Sequence, residues 1–199
     1  MKKIIIIAAI FCASLSCKSQ IIPIEGIQEY LSDNNISSVP EGAYLKDVNG
    51  LFDGFIGEWQ ATYNGRVYTF YIAKETIFRE RTLITRDKLY MKYLITELDG
   101  TVVLDTQEEE GNSVFGDKFT DNLEFFIFGF GGEKSKCGSR GDIYIKHAAS
   151  SNPITPQIQI GLLYRGGVVG VNEALCGDFV LEESPLYPLS LDLLTLTRQ

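Results

Sequence analysis

From residue 55 to residue 197 the chain is written in short segments of β-branched and aromatic residues broken by turn signals. No stretch after Gly50 carries a helical period. That texture restricts the fold to an antiparallel sandwich or barrel. Its sharpest instance is Asn64-Gly65, a dipeptide suited to the positive φ angles of a two-residue turn, which predicts a hairpin between 55–63 and 66–74. A second pair is predicted at 88–97 and 101–106 around Asp99-Gly100, with Leu89, Met91, Tyr93 and Ile95 on one face. Further strands are expected at 123–130, 141–147, 157–164, 179–182 and 191–197. Ile143 and Ile145 alternate with polar neighbours, as do Ile158, Ile160 and Leu162, the pattern of strands with one buried face.

The N-terminus carries a different signal. Lys2 and Lys3 precede the apolar run 4–13, which is too short to span a bilayer, and small residues follow at Ser14 and Ser16. Residues 1–16 therefore read as a removable signal peptide and are set apart from the fold. Ser14-Leu15-Ser16-Cys17 resembles a bacterial lipobox, with the leucine two rather than three positions before the cysteine. The resemblance implies acylation of Cys17 and a membrane held through lipid; the alternative is cleavage near Ser16 or Ser19 to a soluble secreted protein. Cys12 is excluded as acceptor by the bulky Phe11 before it. Residues 17–50, polar and rich in turn formers, are expected to be a flexible lipid-anchored tether with one short helix near 27–31. Residues 51–199 then form one domain.

Loss of Lys2 and Lys3 with the signal takes the formal charge from −8 to −10. An acidic chain has no electrostatic reason to bind nucleic acid or anionic headgroups. With Cys12 removed and Cys17 acylated, Cys137 and Cys176 are the thiols left in an oxidising compartment, which suggests one disulfide.

Gly57-Glu58-Trp59 resembles the Gly-x-Trp opening of lipocalin-type barrels, where the tryptophan closes the barrel base against an arginine from the last strand. Trp59 is the sole tryptophan, and Arg198 follows the final predicted strand. The stretch Gly42-Ala43-Tyr44-Leu45-Lys46-Asp47-Val48-Asn49, with Phe55-Ile56-Gly57-Glu58-Trp59 and the terminal Leu194-Thr195-Leu196-Thr197-Arg198-Gln199, is similar to a family of small lipocalin-like bacterial envelope lipoproteins of unknown function. The resemblance implies an all-β fold, a single antiparallel lipocalin-like β-barrel behind a flexible N-terminal lead, with Gly57, Trp59 and Arg198 at its closed end. It also implies an exported location, as an outer-membrane lipoprotein or in the periplasm. It does not imply a function.

Motifs that could carry chemistry are sparse. His147 is the single histidine, which leaves no His-based metal cluster and no relay of several imidazoles. Gly131-Gly132-Glu133-Lys134-Ser135 lacks the spacing of a phosphate loop. Arg140-Gly141-Asp142 is a short chance tripeptide, and Ser139 lacks a nucleophile elbow. Asp105, Glu108, Glu109 and Glu110 read as a solvated turn rather than a calcium loop. The expectation is therefore a nonenzymatic protein with no cofactor and no metal. The favoured function is binding of a small, partly apolar ligand in the barrel mouth, at the end opposite Trp59. Glycines 129, 131, 132, 161, 166, 167 and 170 would leave that mouth open, against filling by Tyr68, Phe70, Ile72, Leu89, Met91, Tyr93 and Ile95. The alternative is a protein-interaction or assembly module using exposed loops such as 107–120.

Overall fold

The computed structural model describes residues 20–30, 39–108, 114–131, 140–149, 154–165, 176, 180, 184–190 and 192–199. The strands are β1 (Ile21–Pro23), β2 (Tyr44–Lys46), β3 (Gly57–Tyr63), β4 (Arg66–Arg79), β5 (Ile84–Glu97), β6 (Val102–Asp105), β7 (Val114–Phe119), β8 (Phe126–Gly131), β9 (Arg140–His147), β10 (Gln157–Tyr164) and β11 (Leu194–Arg198). The signal segment, Cys17, Cys137, residues 109–113, most of the predicted strand 179–182, and glycines 132, 166, 167 and 170 lie outside the described residues.

Strands β3, β4, β5, β7, β8, β9, β10 and β11 pair antiparallel in chain order, and β11 returns to β3. Closure on the other side is made where Tyr90 and Met91 of β5 meet Phe115 and Val114 of β7. The result is a closed up-and-down barrel of eight strands, which leaves no exposed edge within the ring. Asn64 and Gly65 both have positive φ, as the predicted hairpin turn requires.

Side-chain alternation delivers the core. Tyr68, Phe70, Leu89, Met91, Ile95, Phe128, Ile143, Ile145, Ile158, Ile160 and Leu196 are all fully buried and belong to one cluster. Trp59 joins it from β3.

Strand β7 corrects the expectation of an exposed loop over 107–120. Its buried positions, Val114, Gly116 and Phe119, are not evenly spaced, because the register against β8 shifts between Gly116 and Lys118. A bulge of this kind inserts one residue and breaks the period of two on which a strand is recognised.

The described parts of the lead carry secondary structure. Residues Ile24–Tyr30 form a 3₁₀ turn, β1 pairs parallel with β2, and β2 pairs parallel with Thr85 and Arg86 of β5. Beyond the barrel rim, β1, β2, β5 and β4 thus make a four-stranded wing. Ile22, Ile27, Val39, Ala43, Leu45 and Ile84 give the wing a small core of its own. Among the described residues no helix is long and apolar enough to cross a membrane.

Candidate functional site

The residues expected at the closed end of the barrel are brought together. Arg198 pairs in register with Trp59, and its guanidinium carbon lies 4.7 Å from the indole centroid, within range of a cation–π contact. The same guanidinium donates to the carbonyl of Ile56 at 2.6 Å and of Gly54 at 3.4 Å. The indole N–H donates to the carbonyl of Phe55 at 2.7 Å, so the buried ring leaves no polar atom unpaired.

Gly57 is required here for two reasons. Its φ of +139° is disfavoured for residues bearing a Cβ, and a Cβ built on it would stand 3.3 Å from Nε of Arg198. The glycine of Gly-x-Trp is thus the position that lets the arginine lie across the strand.

A turn over residues 51–55 seals this end. Asp47 holds it like a helix cap, accepting from the N–H of Leu51 at 2.8 Å and of Phe52 at 3.2 Å. Phe52 then packs edge-on to Phe126 and stacks on Phe119, with centroids 5.2 and 6.1 Å apart. Phe55 stacks on His147 at 4.3 Å. Burial and the positive charge of Arg198 hold the His147 pKa below its ordinary value. Its ring lies over Gly54, where a Cβ would come within 2.4 Å of it, which is a packing role.

Asp87 ties the wing to this seal. Burial pushes its carboxyl up, but hydrogen bonds from Thr76 at 2.7 Å, Tyr44 at 2.8 Å and the N–H of Asp47 at 3.0 Å, with the charge of Lys74, outweigh burial. The pKa of Asp87 lies below its ordinary value as a result.

At the opposite end, where an open mouth was expected, described residues cover part of the opening. Leu186 and Leu189 join the barrel core, the Tyr68 hydroxyl donates to the carbonyl of Pro185 at 3.3 Å, and Tyr164 bonds Ser184 at 3.3 Å. Gly161 does not widen the mouth, since a Cβ there would lie 2.8 Å from Leu193. Gly129 and Gly131 are exposed. A hollow near the other end, bounded by Ile24, Phe52, Phe119 and Phe126, measures about 10 Å³, room for about one water.

Larger spaces lie on the outer wall. One cleft of about 490 Å³ sits over Ala73 between Tyr71, Tyr90 and Lys92, whose ammonium donates to the carbonyl of Gln107. A second of about 750 Å³ runs across β7, β8 and β9. Sequence reasoning missed it, because its members come from five segments distant in the chain.

Of the other residues weighed from sequence, Asp105 accepts from the N–H of Gln107 at 2.8 Å, which makes it a turn residue. Arg140 and Asp142 both line the larger cleft. Among the described residues no group of three or more His, Cys, Asp or Glu is placed to hold a metal ion. Cys176 is buried and disulfide-bonded. Cys137, its expected partner, lies outside the described residues. Comparison with protein-family models, curated proteins and solved structures gives no match.

Proposed function

We propose that this chain is an exported envelope protein, acylated at Cys17, that binds a partner without transforming it and does so on the outside of its barrel. The observation that carries this reading is the filling of the interior. An eight-stranded barrel is about wide enough either to pack its side chains or to hold one small guest. Here Trp59, Tyr68, Phe70 and Phe128 occupy that volume at 0% exposure, with Phe52 and Phe55 packed at one end and Leu186 and Leu189 at the other. Among the described residues, space for a ligand of ordinary size, about 300 to 1,000 Å³, occurs on the wall. The partly apolar guest expected in the mouth is thereby moved to the surface, alongside the reading as an interaction module. Export and anchoring rest on the basic n-region, the short apolar run and the small residues before Cys17.

Two experiments test this. Fractionation of cells should find the wild type with membranes and Cys17→Ser released or unprocessed; equal membrane binding of both would defeat the anchoring. Titration of the purified mature protein with fatty acids, quinones and haem should leave Trp59 fluorescence unchanged. A saturable change would return the function to the barrel interior.

A further inference from the structure

We infer that the smaller wall cleft, over Ala73, is a binding site for a neutral sugar held by one of its rings, an assignment that rests on the outer-wall reading above and gives it a ligand class.

The cleft originates in one small side chain. Phe70 and Ile72 are buried in the core, so Tyr71 and Ala73 lie on the outward face of β4. Across the pairing with β5, Tyr71 meets Lys92 and Ala73 meets Tyr90. Tyr71 and Tyr90 are therefore diagonal neighbours, and Ala73 takes the corner between them that a larger residue would fill. On the other flank β3 begins at Gly57, opposite Ile72, so its pairing with β4 stops one residue short of Ala73. Gly57 lines the cleft and brings no side chain to it.

This corner sets the size and the surface of the guest. Diagonal neighbours on a sheet stand about 7–8 Å apart. Carbon atoms pack at about 3.5–4.0 Å, so that separation admits one ring with a tyrosine on either side. A pyranose presents apolar C–H faces within a rim of hydroxyls, and the cleft has groups for both. Around the two tyrosines stand the Lys92 ammonium, the Gln107 amide and the Glu108 carboxylate. Lys92 is steadied by donating to the carbonyl of Gln107, and the Gln107 side chain reaches the Tyr71 hydroxyl. Burial, with the negative charges of Glu58 and Asp105, raises the Tyr71 pKa above its ordinary value, so that hydroxyl stays protonated.

Charge of either sign is opposed. Lys92 in the lining disfavours a cation. Glu108 in the lining, Glu58 and Asp105 near Tyr71, and the formal −8 of the whole chain disfavour an anion. A fatty acyl chain or a quinone would fill the corner but use few of these donors and acceptors. An uncharged guest with several hydroxyls meets neither barrier and uses both kinds of group.

The test is calorimetry of the mature protein with cellobiose, maltose and N,N′-diacetylchitobiose. At least one should bind saturably, with an affinity that salt leaves unchanged. A twin of that sugar carrying an amine or a uronic carboxylate should bind about tenfold more weakly. Ala73→Leu puts a side chain into the corner from the outward face of a strand, so it should keep the wild-type melting temperature and lose binding. Tyr90→Ala should lower affinity up to about tenfold, whereas Tyr90→Phe keeps the ring and most of the affinity. Failure of all three sugars to bind, unaltered binding by a folded Ala73→Leu, or tighter binding of a charged twin overturns the assignment. Those results leave the outer-wall reading standing, whereas a saturable change of Trp59 fluorescence with haem or a quinone, in wild type and Ala73→Leu alike, sinks that reading itself.

Discussion

Replacing Gly57 with alanine separates two costs that the structure places at one residue. A backbone at φ +139° disfavours any residue with a Cβ and costs about 1–3 kcal/mol. The new methyl would also stand 3.3 Å from Nε of Arg198. That side chain cannot easily retreat, because Ile56 and Gly54 hold its guanidinium and Trp59 lies against it. Overpacking of this sort costs about 1–3 kcal/mol, for a total of about 2–6 kcal/mol. In a domain of this length the melting temperature should fall by about 4–24 °C. Two glycines serve as controls in urea titrations. Gly65→Ala, at φ +77° with nothing within 4 Å, should lose only the backbone part, about 1–2 kcal/mol. Gly129→Ala has neither penalty and should be neutral or gain up to about 1 kcal/mol from a stiffer unfolded chain. On an Arg198→Ala background, Gly57→Ala should cost only its backbone share. If Gly57→Ala is no worse than Gly65→Ala, the argument from Arg198 fails; if it matches Gly129→Ala, the backbone argument fails as well.

Trp59→Ala should destabilise by about 3–5 kcal/mol, as for other buried large aromatics, and an unchanged urea midpoint would show that the indole is not buried. Acid should loosen the wing: because the folded pKa of Asp87 is depressed, its contribution is full above the ordinary carboxylate value and is lost as pH falls through the folded one. Asp87→Asn should flatten that acid limb in thermal melts, and an identical pH profile for both proteins would remove Asp87 from the account.

The barrel is legible in the chain wherever one face is apolar and the other polar, as in the alternation of Leu89, Met91, Tyr93 and Ile95, all at most 4% exposed. It is hidden wherever burial comes from a partner distant in sequence. Strands β4 and β5 run past the predicted bounds through Glu75, Thr76, Arg79 and Asp87, whose polarity reads as loop. Asp87 is nevertheless buried, because Tyr44 of β2, the N–H of Asp47 and Thr76 of β4 converge on its carboxylate. Three-residue strands such as β1, one of whose residues is Pro23, give no period at all. The closed end was readable because a motif marks it, Gly57 and Trp59 with Arg198. The larger wall cleft carries no motif, being defined by an absence at Gly129 and by four cations from four separate segments.

The early start of β1 changes what a lipid at Cys17 would do. Cys17 stands four residues before Ile21, and a chain spans at most about 3.3–3.6 Å per residue, so the reach from the anchor to the sheet is about 14 Å. A loose stalk of 34 residues would let the domain wander, whereas with a lipid on Cys17 this connection would bring the wing down to the bilayer. The wing offers a surface suited to that position. Ile21, Tyr44, Thr85 and Phe78 form one cross-strand row, in which Ile21 and Phe78 are more than half exposed. Leu83 is 41% exposed beside them, and the exposed Arg79 and Arg81 flank the β4–β5 turn. Each arginine near an anionic headgroup contributes about 1 kcal/mol, partly offset by Glu80, and the apolar row adds burial to the acyl chain's own. Phe78→Trp in the acylated protein, reconstituted into vesicles containing brominated lipid, should therefore be quenched. Trp59, at 0% exposure inside the barrel, serves as the reference that bromine cannot reach. Cys17→Ser should abolish the quenching of Phe78→Trp. Fluorescence of Phe78→Trp that is no more quenched than that of wild type would mean that the wing is held away from the membrane, and the anchor would then have to act through a longer connection than the fold provides.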